Sequence, residues 1–528
     1  MTEIIADQTT PILQGPTDKE KKYDRQLRLW ASNGQRALED SHVLLVNTGS
    51  GSVGIETLKN LVLPGIGKFT IADTNIVAEE DLGVNFFIDE EGLGKSRAEV
   101  CMKLLQELNP DVKGDWFPKQ KTDSMTNLFQ SEEMFTLIIC ALPIEAETLK
   151  LVKVYCHKFQ VPLVSIHSAG FYSYFRIHLH GNFPIVDTHP DSTATTDLRL
   201  LTPWPELSGF AASLTESIEN LDAHQHGHIP YLVLLLHYLK EWKQCHGEYP
   251  STYNDKKAFR DTVTAGARTV TPEGGEENFD EAVAAVLKTV SPTTLSSAVK
   301  EVFDYEPTEV ELKSDFWIIV DAVKKFYAKH GELPLPGSVP DMKAQSSVYV
   351  ELQTIYKSKA KQDATEILET VRGQEGGNNI DAAEVDTFCK NAAFIKLIHG
   401  AGGSSKCIRS IAEEQFQADR DAEVMMTPLS LFPIYLALAS TSYVASATSS
   451  EILATIEETV PGASSQERVV QVVEEVARAR GGELHNISAL TGGMASQEII
   501  KIITKQYIPM DNTCVFDGIK SSTQIFRI

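Results

Sequence analysis

The apolar run His42–Asn47 (HVLLVN) leads directly into Thr48-Gly49-Ser50-Gly51-Ser52-Val53-Gly54, and then into a stretch ending at Leu63 with apolar residues at helical spacing. Few folds accept a strand that turns into a helix over three glycines at G-x-G-x-x-G spacing. Gly49 allows the tight turn, Gly51 lets a phosphate approach the backbone, and Gly54 lets the helix close on the strand. The helix dipole at that point favours an anion. The same alternation continues through the strand KFTIAD, the helix SRAEVCMKLLQEL, the strand FTLIICAL, the helix EAETLKLVKVYCHKF and the strand VPLVSI. Strands separated by helical periods imply βαβ units and a parallel sheet. The first 180 or so residues therefore read as a doubly wound α/β layer.

Upstream, Thr17-Asp18-Lys19-Glu20 has the form of a capping box and opens a helix through KKYDRQLRLW. From about Leu198 to Ser440 the pattern is helical, with IPYLVLLLHYLKEWKQC and SVYVELQTIYKSKAKQDATEILETVR as long examples. The breaks TVTPEGGEEN and RGQEGGNN read as mobile loops. The C-terminal end returns to a helix, GGMASQEIIKIITKQY, and to the strand-like runs TCVFDGI and TQIFRI. The division expected is 1–180 for the first part of an α/β domain, 181–480 for an inserted, mainly helical domain, and 481–528 for the rest of the first.

Several function classes fall away. A formal charge of −24 argues against non-specific binding to a polyanion such as nucleic acid, which needs clustered Lys and Arg. The seven cysteines stand singly, without a CxxC pair, which fits neither a zinc knuckle nor a disulfide framework and points to the cytoplasm or nucleus. The opening MTEIIADQTTPILQG lacks the form of a secretory signal, and no apolar run is long enough to span a membrane.

The glycine loop by itself leaves two readings open: a dinucleotide site, with Asp73 at the second strand end bonding ribose hydroxyls, or a tight turn that binds nothing. The surrounding residues narrow this. YDRQLRLW, the loop, the Glu56…Lys59-Asn60 run and the acidic strand end at Asp73, in that order, resemble the adenylating family of ubiquitin-like modifier activating enzymes and their bacterial sulfur-carrier relatives. The resemblance implies a Rossmann-like, ThiF/MoeB-type adenylation domain that binds ATP and magnesium. This chain departs from the family's charged steps. The second acid after Asp73 is Asn75, the arginine of the next motif falls on Val84, the phosphate-contacting lysine falls on Arg97, and the metal-binding aspartate falls on Pro143. Proline cannot ligate magnesium, and phosphate chemistry depends on electrostatic stabilisation. The loop of Gly49, Gly51 and Gly54, with Asp73 and Arg97, is therefore expected to be vestigial, with no cofactor bound by this chain.

Beyond the first domain, HPDSTATTDLRLLTPWPEL and ELHNISALTGGMASQEIIKIITKQYIPMDNTCVFDGI are similar to the regulatory, non-catalytic subunits of the activating enzymes of the neddylation pathway. The resemblance implies a pseudo-adenylation domain with a large helical insertion lacking the catalytic cysteine. It also implies a catalytic partner that holds ATP and magnesium, a ubiquitin-like modifier, and an arginine, matched by Arg25, that reaches the partner's ATP site. Arg28 lies one turn on. A solvated basic face is the plainer reading of both arginines by spacing alone. The alternatives are a self-sufficient adenylating homodimer, a sumoylation-type regulatory subunit and, last, a nicotinamide-dependent oxidoreductase. Cys245 beside His246 reads as a helix-end cysteine with a chance neighbour, and the run His224, His226, His228 as a solvated loop rather than a metal site.

Overall fold

A computed structural model describes residues 16–120, 122–130, 133–191, 197–268, 274–400, 406–444 and 446–528. The stretch read for a leader, the middle of HPDSTATTDLRLL and the first half of TVTPEGGEEN lie outside the described residues. The chain divides into two compact units, Met1–Phe183 with Ile398–Ile528, and Pro184–Leu397.

The first unit opens with α1 (Asp18–Lys22), and the capping box at Thr17 and Glu20 is present. Next is α2 (Asp24–Glu39), broken at Trp30 and Ala31, where the backbone leaves helical angles. The α/β alternation then runs β1 (His42–Val46), α3 (Ser52–Val62), β2 (Lys68–Ala72), α4 (Arg97–Leu108), β3 (Lys113–Phe117), α5 (Met125–Gln130), β4 (Leu137–Leu142), α6 (Ala146–Phe159), β5 (Leu163–Ala169), β6 (Tyr172–His178) and β7 (Asn182–Val186). The second unit holds α7 (Pro205–Thr215), α8 (Ala223–His226), α9 (Tyr231–His246), α10 (Tyr253–Gly266), α11 (Glu277–Thr289), α12 (Ser297–Asp304), α13 (Asp315–His330), α14 (Ser346–Arg372) and α15 (Ala382–Lys390). After β8 (Ile395–His399), the first unit is completed by α16 (Ile408–Met425), α17 (Phe432–Ser440), α18 (Ser449–Thr459), α19 (Glu467–Ala479), α20 (His485–Thr504), β9 (Thr513–Asp517) and β10 (Ser522–Phe526).

The eight-stranded sheet has the order β10-β9-β6-β5-β4-β1-β2-β3. β3, β2, β1, β4 and β5 pair in parallel, and β6, β9 and β10 extend the sheet antiparallel. This is the expected doubly wound layer, and its chain order reverses between β1 and β4, where ligands settle in such sheets. Alternation along the strands sends Val43, Leu45, Leu137 and Ile139 to one face and Leu44, Val46, Ile138 and Cys140 to the other. α3, α4 and α20 contribute to the first core, while α6 and α17–α19 contribute to the second. A parallel sheet needs both faces covered. That requirement moves the second boundary. Residues 398–480, expected in the insertion, belong to the first unit, because Phe432, Tyr435, Val469 and Val473 are buried on the sheet's second face.

The second unit has two cores, one around α7, α9–α11 and the first half of α14, the other around α12, α13, α15 and the rest of α14. β7 and β8 pair as a separate ribbon where the chain passes between units. The RGQEGGNN break is a turn through Gly376 at φ 83° and a short 3-10 segment, Gly377–Asn379. No described helix is long and apolar enough to cross a membrane.

The amide of Gly400 donates to the carbonyl of Gly181 at 2.9 Å, so the two chain segments of the first unit meet there. Replacing 184–397 with a short flexible linker should leave a chain that unfolds cooperatively by circular dichroism. Removing 181–480 should not, because it strips one face of the sheet.

Candidate functional site

The glycine loop joins β1 to α3 at the switch point. Gly51 is the N-cap of α3 with φ 68°, a left-handed conformation that side chains resist. At Gly54 a Cβ would lie 2.7 Å from Asn47 Oδ1 and 2.9 Å from a methyl of Leu45, so the helix sits too close to the strand for any side chain. The loop lines a crevice of about 580 Å³ together with Asn75, Asp81, Val84, Arg97 and Glu483.

Asp73 does stand at the end of β2, but its carboxylate is already engaged. Oδ2 accepts from Asn47 Nδ2 at 3.0 Å and from Arg97 Nε at 2.7 Å, and Oδ1 accepts from the Asn75 amide at 2.9 Å. Arg97, the first residue of α4, also donates through Nη1 to Asp81 at 3.1 Å and to the Gly49 carbonyl at 2.9 Å. Its side chain is only 3% exposed. Burial alone would lower the guanidinium's pKa; Asp73 and Asp81 outweigh it and hold the pKa above its ordinary value. The planar fork of arginine serves these acceptors from two separated nitrogens, Nε to Asp73 and Nη1 to Asp81 and Gly49, whereas a lysine would have to reach all of them from a single nitrogen. Nη2 of Arg97 has no hydrogen-bond partner among the described residues.

The anion seat at the start of α3 is also taken. Glu483, just before α20, accepts from the Val53 amide at 2.7 Å and from Ser488 Oγ at 2.6 Å. Burial pushes its pKa up to about 7, against the opposing pull of Ser488, the Val53 amide and Arg97. A carboxyl group of the chain itself thus sits where a helix N-terminus would hold a phosphate. Glu483 opens the run ELHNISAL, but nothing in that run singled it out as a site residue, and it lies 430 positions from Val53.

The other substituted positions line or border the same crevice. Asn75 is exposed at its mouth, and Val84 accepts through its carbonyl from Ser52 Oγ at 2.8 Å and lies close to His485 Nδ1 at 3.2 Å. Pro143 packs its ring near Gly49 and accepts a hydrogen bond from Thr48 Oγ1. Arg25 is not brought to this crevice. It lies exposed on α2 with no ion pair among the described residues, whereas Arg28 pairs with Asp24 at 2.9 Å.

Five cysteines, Cys101, Cys140, Cys156, Cys389 and Cys514, are buried, and burial raises the pKa of each. Cys245 is exposed, and the ring of its neighbour His246 stacks on Trp242 at 3.9 Å with Nδ1 at 3.0 Å from the Trp242 carbonyl. Exposed Cys407 has its pKa lowered by the amides of Ser410 and Arg409 at the start of α16. The histidine run is not the expected solvated loop. His226 is buried in α8, bonded to Glu276 at 2.7 Å and stacked on Phe279, while His224 and His228 stack on each other. Among the described residues, no group of three or more metal-ligating side chains could hold an ion.

The model of the ThiF family matches residues 23–528. The NEDD8-activating enzyme E1 regulatory subunit of Xenopus laevis is 35% identical over 97% of this chain and 99% of its own length. The corresponding regulatory subunit AXR1 of Arabidopsis thaliana is 34% identical over 96% of each chain. A solved structure of E. coli MccB aligns over 30% of this chain and 46% of its own, with 17% identity and a TM-score of 0.26.

In the folded chain Glu483 releases its proton near pH 7, against an ordinary value of 4.5. A raised folded-state pKa gives stability that is complete below the unfolded value and is lost as pH rises through the folded one. Glu483→Gln removes that titration and keeps an acceptor for the Val53 amide. Its thermal stability relative to the parent chain should therefore increase from about pH 5 to about pH 8, by up to about 3 kcal/mol. A constant difference across that range would show that Glu483 does not titrate there.

Proposed function

The chain belongs to the ThiF family, among the regulatory subunits of NEDD8-activating E1 enzymes, and from that premise we propose that it is the non-catalytic half of a heterodimer. The observation that carries this reading is the internally filled anion seat: Glu483 caps α3, and Arg97 closes over Asp73 and Asp81. A triphosphate would have to displace a buried carboxyl group and break a buried ion network, which costs several kcal/mol. Asn75 and Pro143 offer no carboxylate for magnesium, which takes carboxylate and phosphate oxygens. ATP and magnesium then belong to the catalytic partner, and the ubiquitin-like modifier is adenylated there.

Arg25 is the residue this chain lends to that site. Around it, α2 is held firmly. Tyr23 is buried, with its hydroxyl accepting from Asn109 at 3.0 Å, and the Trp30 carbonyl accepts from Gln506 at 3.0 Å. A cation on a fixed helix, with no partner of its own among the described residues, can meet charge that develops on another subunit, as an arginine finger does. In this reading the second unit is a helical wall beside the partner's thioester cysteine. The work is done in the cytoplasm and nucleus, which imaging of a tagged chain would check.

Modifier-dependent ATP–pyrophosphate exchange tests the reading. The purified chain alone should be silent and should support exchange once the catalytic subunit is added; exchange by the chain alone would overturn it. Arg25→Ala should leave co-purification of the pair unchanged and slow exchange by roughly 10- to 100-fold. An unchanged rate would remove Arg25 from the ATP site.

A further inference from the structure

α6 carries a surface that the adenylation reading does not use. Lys150, Lys153 and His157 recur at one-turn spacing along its exposed side, over about 10 Å of helix. Lys158 and Val154 stand on the adjoining stripe, and Tyr443, from the turn after α17, closes the far side of a cleft of about 520 Å³. Leu149 forms part of its floor, and among the described residues no acidic side chain lines it. Among the described residues none of the three lysines closes an ion pair; Lys158 rests over the ring of Phe159. The acids of the same helix end, Glu145 and Glu147, lie at its N-terminal start. Val154 and Tyr443 are 60% and 55% exposed, so apolar surface stands open beside the unpaired cations.

We propose that this cleft docks an acidic segment of a partner protein, with carboxylates over the lysines and one apolar anchor between Val154 and Tyr443. In a chain of net charge −24 such a cluster is not part of a generally basic surface. Its attraction is local, acting within a Debye length of about 8–10 Å. Charge complementarity fixes the sign of the partner, and the apolar floor distinguishes a peptide with an anchor from a bare polyanion. The proposal is independent of the reading of the nucleotide crevice.

Fluorescence anisotropy with the full chain tests it, using a short labelled peptide of alternating glutamate and serine around one central phenylalanine. Controls are the same peptide with the phenylalanine replaced by serine and a single-stranded oligonucleotide of equal length. The phenylalanine peptide should bind most tightly and weaken with salt. Lys150→Glu with Lys153→Glu should weaken it at least about ten-fold, and Tyr443→Ala should remove the advantage of the phenylalanine. Lys240→Glu with Lys243→Glu, in the second unit, should change nothing, and melting curves should confirm that every variant is folded. The proposal fails if neither peptide binds, if the Lys150 and Lys153 substitutions have no effect, if the two peptides bind alike, or if the oligonucleotide binds more tightly than both.

Discussion

The buried guanidinium of Arg97 ties together the end of β2, the start of α4, the short 3-10 turn that carries Asp81 and the glycine loop. A buried ion pair contributes little by itself, because desolvation consumes most of the Coulombic gain. Removing one member is another matter, since it leaves a buried charge unpaired, at a cost of about 3–5 kcal/mol. The crevice is therefore locked by a network that cannot be loosened at one point. Glu483 closes the other side, with Ser488 and the α3 amide holding its carboxyl group in place. A carboxyl group of the chain itself therefore occupies the N-terminus of α3.

The same sheet explains the division of the chain. Both faces of β1 and β4 are apolar, so both must be covered. The first part of the chain supplies α3 and α4 to one face and α6 to the other. The segment that returns after the second unit completes both cores, with α17–α19 on the face of Leu44 and α20 on the face of Leu45. The long helical insertion therefore interrupts a domain at the β7–β8 ribbon without dividing its core.

Much of the parallel sheet could be read directly. HVLLV, KFTIA, LIICAL and the run ending in LVSI are strands, and the helices between them lie where the periodicity put them. β3, with the sequence KGDWF, is not readable from the sequence, because none of its residues is fully buried and the strand lacks an apolar run. The boundary near 481 was misplaced because α17–α19 have the same helical periodicity as the second unit; only their burial assigns them to the sheet. Of the candidate site, Gly51 and Gly54 form the strand-to-helix turn that the loop pattern predicts and Asp73 follows the end of β2, whereas Arg97 was singled out only through the family resemblance. Asp81 had no motif to announce it, and Glu483, though it opens the run ELHNISAL, is marked as a site residue only by its contact with the Val53 amide.

By itself, then, the sequence determined what depends on neighbours a few positions apart: the strand and helix periods, the capping box at Thr17 and the glycine turn. Those features arise from backbone geometry and short-range hydrogen bonds. The tertiary structure decided what depends on distant residues. It set Glu483 on the amide of Val53, 430 positions away, the Gly481 carbonyl on Ser50 and Thr491 on Ser173. It also left Arg25 exposed while Arg28 was paired. Local pattern fixes where a strand or turn will form; which carboxyl group fills a crevice depends on how the whole chain packs.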